Sequence, residues 1–62
     1  MTRPDQQTLD MLDAVFIELK ADAALGDEDI LQELAVGIEC EEGCRPSAAL
    51  VMAEAYFAGD FG

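Results

Sequence analysis

Two cysteines, Cys40 and Cys44, are the most reactive side chains in the sequence. They lie one helical turn apart if a helix continues through Gly43, or on either side of a short loop if it ends there. Two readings stay open, a pair of free thiols in a reducing compartment and a local disulfide between Cys40 and Cys44. A zinc site is not expected, because zinc takes four nitrogen or sulfur ligands and the chain has no histidine. A redox-active pair is not expected either, because thioredoxin-like sites have a C-x₂-C spacing and this sequence has C-x₃-C.

Carboxylates are the most abundant ionisable side-chain groups. The sequence has 14 Asp and Glu against 3 Lys and Arg, which gives a formal net charge of −11. Pairs such as Asp10 with Asp13 could serve acid–base or magnesium chemistry, but no nucleophile or phosphate-binding glycine loop accompanies them. The stretch from Asp22 to Glu33 does not match a calcium loop, because Asp27 stands where glycine is required. The sequence therefore predicts a protein without catalytic activity, cofactor or metal.

The length of the chain limits how large a core and pocket it can form. A domain of 62 residues buries only about 60% of the surface of its unfolded chain, so we expect no deep enclosed pocket. Hydrophobic residues make up 52% of the sequence, too many for a disordered acidic tail. We therefore expect a single folded domain over residues 1–62.

Hydrophobic spacing predicts a first helix over residues 4–25, with Pro4 in its first turn and Gly26 as its stop. Its apolar residues recur three and four apart, as on one face of a helix. They are Leu9, Leu12, Val15, Phe16, Leu19 and Ala23.

A second helix is predicted over residues 27–42, with Asp27 as its N-cap. Its apolar stripe comprises Ile30, Leu31, Leu34, Ala35 and Ile38, and the opposite side is mostly acidic. Glu39, Glu41 and Glu42 oppose the negative end of the helix dipole at a cost of about 0.3–1 kcal/mol each. This cost indicates that the acidity is itself useful.

A third helix is predicted over residues 46–58, apolar nearly all round with Glu54 as its only charge. This composition favours the central and most buried position in the fold. Phe61 is expected to fold back onto the core. The predicted fold class is all-α, a small three-helix bundle.

We expect neither a membrane-spanning segment nor a secretory signal in this sequence. Its longest apolar run, Ala48–Ala53, is far shorter than the ~18 residues of a membrane span. The stretch Met1–Asp5 lacks the apolar segment of a secretory signal. We therefore expect a cytoplasmic protein. Its negative charge would repel nucleic acid and anionic lipid, so no direct binding to either is expected.

The charge itself is the strongest functional signal. Duplex DNA carries about one negative charge per 1.7 Å, or roughly 16 over the ~27 Å length of an 18-residue helix. The net charge of −11 approaches that density. Carboxylates three or four residues apart on a helix can therefore imitate phosphates towards a basic DNA-binding protein. The candidate partner-binding residues are Asp10, Asp13, Glu28, Asp29, Glu33, Glu39, Glu41 and Glu42.

In size, acidity and helical layout the whole chain resembles the small anti-CRISPR proteins encoded by phages and mobile elements of Gram-negative bacteria. The likeness is to inhibitors of type I (Cascade-based) systems, type I-C among them, and it involves no diagnostic motif. The resemblance implies a non-catalytic DNA mimic that acts in the bacterial host cell. Its partner would be a basic surface of the CRISPR interference complex, such as the part of the large subunit that reads the PAM.

An alternative hypothesis is a small protein–protein interaction module, either a monomer or a weak homodimer. Met11, Ile17 and Val36 fall outside the predicted core stripes. Apolar side chains exposed together mark docking surfaces. Salt separates the two hypotheses, because mimicry weakens at high ionic strength whereas apolar docking barely changes.

Overall fold

The computed structural model describes residues 3–61, which form an all-α bundle of three helices. The helices are α1 (Gln6–Ala21), α2 (Asp27–Glu42) and α3 (Pro46–Phe57). The predicted fold class is therefore confirmed. The predicted domain of residues 1–62 also takes in Met1, Thr2 and Gly62, which lie outside the described residues. Within residues 3–61, no helix combines the length and the hydropathy that crossing a bilayer requires.

Helix α1 is shorter than predicted at both ends. It begins after Asp5, whose extended backbone occupies the N-cap position, so the buried Pro4 precedes the helix. It ends at Ala21 because Asp22 turns the chain: its Oδ1 accepts the amide of Ala24 at 3.0 Å, and its carbonyl accepts that of Leu25. Aspartate commonly offers the backbone this alternative to a helix. Ala23 is consequently exposed and not part of the core.

Helix α2 has the predicted bounds. The N-cap position belongs to Gly26 and not to Asp27, and Oδ2 of Asp29 accepts the Gly26 amide at 3.4 Å. At the other end Gly43 adopts a left-handed conformation with φ of 64°, which glycine tolerates best, and its amide bonds the carbonyl of Glu39.

The central helix is α2, which packs against both α1 and α3. Within residues 3–61, no Cα atom of α1 comes within 8 Å of one in α3. The prediction that α3 takes the central position is wrong, since within this range its backbone approaches α2 alone and leaves Leu50 37% and Val51 50% exposed. The core contains Leu9, Leu12, Ile30, Leu34, Ala35, Ile38, Ala49, Met52 and Ala53.

Helices α1 and α3 meet through long aromatic side chains. The Phe16 ring lies edge-to-face with the rings of Tyr56 and Phe57, at centroid distances of 5.8 Å in both cases. Helix α3 begins at Pro46 as predicted and ends at Phe57, one residue earlier than predicted. Phe61 folds back against the core, as expected. Phe16, Tyr56 and Phe57 thus form an aromatic cluster where α1 and α3 meet.

Candidate functional site

The acidic side chains lie at the surface of the bundle. None of the 14 is buried, and only Glu39 and Glu42 are even half-buried. Among the residues described, the one ion pair joins Lys20 and Asp27 at 4.0 Å, and both side chains are at least half exposed. Exposed pairs of this kind contribute little to stability. The negative charge is therefore presented to solvent almost without internal compensation.

Four of the predicted binding residues gather on the outer side of α2 and form what we call the α2 acidic face: Glu28, Asp29, Glu33 and Glu39. At 100° per residue, Glu28 and Glu39 lie about 20° apart around the helix and about 16 Å apart along it. Asp29 and Glu33 form a second row, about 40° apart. Val36, 56% exposed, lies between the two rows.

Three of these carboxylates are available for an external partner. Within residues 3–61, the side chains of Glu28, Glu33 and Glu39 make no intramolecular hydrogen bond or ion pair. Asp29 has a second task, because it caps the amide of Gly26. The last turn of α2 holds no basic residue, so Glu39 meets the unfavourable end of the helix dipole without a local cation.

Glu42 has a structural role that sequence reasoning missed. Its Oε2 accepts a 2.5 Å hydrogen bond from Oγ1 of Thr8 and a 3.5 Å bond from the amide of Asp5. Thr8 is only 3% exposed, so this carboxylate satisfies a buried hydroxyl. The bond fastens the start of α1 to the end of α2. The local sequence carries no signal for this role, because Thr8 lies among the polar and exposed residues Gln6, Gln7 and Asp10.

Asp13 is likewise engaged within the protein. Its Oδ1 accepts a hydrogen bond from the hydroxyl of Tyr56 on α3. Burial of the phenol, together with the hydrogen bond and the negative charge of Asp13, raises the pKa of Tyr56 from 10.0 to about 12. Asp13 therefore belongs to the α1–α3 contact and not to the α2 acidic face.

The two remaining predicted residues lie apart from the α2 acidic face. Asp10 is exposed on α1, where its carboxylate accepts the side-chain amide of Gln6 at 3.0 Å. Glu41 is exposed, but lies about 80° around the helix from Glu33 and only about 20° from the buried Ile30, on the side that faces the core. The structure therefore divides the eight predicted acids among several surfaces.

The cysteines are free thiols in this structure, with Cys40 exposed and Cys44 half-buried. The C-x₃-C spacing spans the end of α2, since Gly43 stops the helix between them. In the part of the chain that is described, no three histidine, cysteine, aspartate or glutamate side chains converge as metal ligands would.

Among the surface grooves formed by residues 3–61, two border the core. The first, here called the aromatic groove, lies between α1, α3 and the chain end, has a volume of about 330 Å³ and includes Arg3, Asp13, Phe16, Tyr56, Phe57 and Phe61. The second, here called the α2–α3 groove, has a volume of about 260 Å³ and includes Gln32, Val36, Glu39, Pro46, Ser47 and Leu50. Both open to solvent.

The apolar patch predicted from Met11, Ile17 and Val36 does not form as one surface. Met11 is half-buried against α2, where a Cβ placed on Gly37 would lie 3.3 Å from its terminal methyl carbon. Ile17 is 71% exposed, but on α1. Val36 instead lines the α2–α3 groove beside Leu50, which the sequence had suggested would be buried.

Comparison of the chain with protein-family models, with curated proteins and with solved structures finds no match.

Proposed function

We propose that this protein is a non-catalytic inhibitor that binds a basic, DNA-binding surface of another protein through the α2 acidic face. The observation that carries the proposal is the set of Glu28, Glu33 and Glu39, three carboxylates on one side of the central helix without an intramolecular partner within residues 3–61. Carboxylates in such an array can form charge-assisted hydrogen bonds with Arg and Lys, as phosphates do.

The size of the molecule supports imitation of a duplex segment. The Cα trace measures 30 × 20 × 19 Å. Over a 30 Å length, duplex DNA carries about 18 negative charges. The protein carries −11, within a factor of about two of the duplex. A groove that attracts DNA would therefore attract this protein, and the attraction would weaken as salt is added.

At a finer level, we propose an anti-CRISPR role. The resemblance in size, acidity and helical layout to phage-encoded inhibitors of type I interference complexes supports this. The partner would then be a basic DNA-binding site of the complex, such as the large subunit, and target DNA would be excluded by occupancy. The site of action would be the cytoplasm of a bacterial host.

Capture from bacterial lysate with an active type I CRISPR system tests the proposal. The immobilised protein is expected to retain a DNA-binding complex that high salt and competing duplex DNA both release. A variant with Glu28→Lys, Glu33→Lys and Glu39→Lys should lose the complex. This variant leaves the capping residue Asp29 in place, and the dipole penalty at Glu28 is offset by the gain at Glu39.

The matched control applies the same change of charge elsewhere. Glu18, Glu54 and Asp60 are exposed and lie outside the α2 acidic face. Their triple replacement by lysine should leave capture largely intact at moderate salt. Equal loss in both variants would mean that net charge alone attracts the complex, and the assignment to the α2 acidic face would be wrong.

A second candidate function is apolar docking at the α2–α3 groove. Val36 and Leu50 are 56% and 37% exposed there, and Val51 nearby in α3 is 50% exposed. Exposed apolar groups on a small domain favour contact with a partner surface. A Val36→Lys, Leu50→Lys variant would then lose its partner, and capture by the unmodified protein would be insensitive to salt.

A further inference from the structure

The aromatic groove brings together features that none of the three helices carries alone. Four aromatic side chains line it, Phe16 from α1, Tyr56 and Phe57 from α3, and Phe61 from the chain end. Asp13 places a carboxylate among these rings. The aromatic groove, about 330 Å³ in volume and open to solvent, therefore combines apolar rings with a carboxylate, a combination that the α2 acidic face lacks.

One oxygen of the Asp13 carboxylate accepts a hydrogen bond from within the protein. The hydroxyl of Tyr56 donates to Oδ1, and within residues 3–61 no hydrogen bond to Oδ2 is formed. Because the tyrosine bond fixes the carboxylate, Oδ2 is an oriented acceptor beside an aromatic surface. Such an acceptor is suited to a positively charged donor.

The same rings already attract a cation within the chain. The Lys20 ammonium lies 5.6 Å from the centroid of the Phe16 ring and 5.4 Å from that of Phe57. These distances fall within the range of cation–π attraction. A guanidinium can stack on aromatic faces and donate to a carboxylate at the same time, which an ammonium does less well.

We propose that the aromatic groove binds an arginine side chain of the basic partner, with the guanidinium donating to Oδ2 of Asp13 and stacking on the aromatic rings. This inference rests on the proposed function, which calls for a partner rich in arginine and lysine. The net charge of −11 complements such a group. The groove thus adds a second anchor, distinct from the α2 acidic face.

The chain's own Arg3 lines the same groove, and within the described residues it forms no ion pair with Asp13. Its positive charge would repel an incoming guanidinium. Removal of each groove charge therefore has an opposite expected effect. Loss of Asp13 weakens binding of a cation and loss of Arg3 strengthens it, whereas an anionic ligand would show the reverse.

The test uses a minimal probe, N-acetyl-arginine methylamide, with the citrulline analogue as its uncharged counterpart of nearly the same shape. Tyr56 is the only tyrosine and the chain has no tryptophan, so intrinsic fluorescence reports on the groove directly. The arginine probe is expected to change this fluorescence in a saturable way, and the citrulline probe to bind about tenfold more weakly or not at all.

Three variants complete the test. Asp13→Asn keeps an oxygen for the Tyr56 hydroxyl but removes the charge, and should weaken the arginine probe about tenfold. Arg3→Gln should tighten it, and Glu18→Gln, an exposed acid of α1 outside the groove, should leave it nearly unchanged. Equal binding of arginine and citrulline, or an equal effect of Asp13→Asn and Glu18→Gln, would overturn the inference.

The two proposals fail independently in this design. The Glu28→Lys, Glu33→Lys, Glu39→Lys variant should still bind the arginine probe with the affinity of its charge-matched control. If it captures no partner but binds the probe, the α2 acidic face is required and the groove still stands. If capture by the unmodified protein succeeds and the probe never binds, the proposed function stands and the groove inference is wrong.

Discussion

The hydrogen bond between Thr8 and Glu42 gives a sharp prediction, because a neighbouring residue provides its control. Glu41 and Glu42 are adjacent in the last turn of α2, and both place a negative charge at the unfavourable end of the helix dipole. Only Glu42 accepts a hydrogen bond from the buried Thr8 hydroxyl. Glu41→Ala and Glu42→Ala therefore remove the same charge but differ in this bond.

The expected effects have opposite signs. Glu41→Ala should stabilise the protein by about 0.3–1 kcal/mol, because it relieves the dipole repulsion. Glu42→Ala gains the same relief but loses a charge-assisted hydrogen bond worth about 1.5–3 kcal/mol. Because Glu42 is half-buried, we expect a net loss of about 1–2 kcal/mol. For a domain of 62 residues, total stability is about 3–9 kcal/mol, so this loss is large.

Urea unfolding followed by circular dichroism measures both changes. A double-mutant cycle with Thr8→Val and Glu42→Ala should give a coupling energy of about 1–2 kcal/mol. The cycle of Thr8→Val with Glu41→Ala should give a coupling near zero. If Glu41→Ala and Glu42→Ala change the free energy of unfolding equally, Glu42 does not stabilise the α1–α2 contact and the reasoning is refuted.

Three further predictions concern the core, the aromatic cluster and the net charge. Gly37→Ala should stabilise α2 by about 0.5 kcal/mol, because alanine favours a helix more than glycine does. The new Cβ would lie 3.3 Å from the terminal methyl carbon of Met11, a flexible side chain that can move aside. A lower urea midpoint for the variant would show that Met11 cannot move. Folding raises the pKa of Tyr56 from 10.0 to about 12, so the folded protein favours the neutral phenol. The neutral phenol therefore contributes its full stabilisation below pH 10, and this stabilisation is lost as the pH rises through 12. Tyrosinate absorbance should report that pKa, and in Asp13→Asn it should fall towards 10.0; an unchanged value would exclude Asp13 as a cause. Raising the ionic strength from about 0.01 to about 0.15 M shortens the Debye length from about 30 to about 8 Å. Repulsion among the surface acids is then screened, so the melting temperature should rise. A lower melting temperature at the higher ionic strength would contradict this account.

The helices could be predicted largely from local signals. Glycines at positions 26 and 43 bound α2, and its spacing of Ile30, Leu34 and Ile38 selected the residues that are buried. The end of α1 could not be predicted from that spacing, because the apolar pattern continues past Ala21 while Asp22 forms a competing turn. Local backbone chemistry prevailed over hydrophobic periodicity there.

The position of α3 was missed for a different physical reason. A helix that is apolar nearly all round carries little information about which side faces the core. Within residues 3–61, α2 is the helix whose backbone approaches both others, whereas α1 and α3 meet through aromatic side chains. Leu50 and Val51 are therefore left partly exposed.

Whether the role of a site residue could be predicted depends on how far away in the sequence its contact partners lie. The α2 acidic face of Glu28, Asp29, Glu33 and Glu39 follows from helical spacing alone, because α2 has the predicted bounds. The roles of Glu42 and Asp13 depend on partners 34 and 43 residues away, Thr8 and Tyr56 respectively. No local pattern encodes such pairs, and only the packing of the helices brings them together.

Competition for DNA tests the central claim most directly. The complex captured by the unmodified protein is loaded with a fluorescently labelled duplex, and the fluorescence anisotropy is followed as this protein is added. We predict that the unmodified protein and the Glu18→Lys, Glu54→Lys, Asp60→Lys control displace the duplex, whereas the Glu28→Lys, Glu33→Lys, Glu39→Lys variant does not. If the unmodified protein binds the complex and leaves the duplex in place, the α2 acidic face does not occupy a DNA-binding groove and the claim is contradicted.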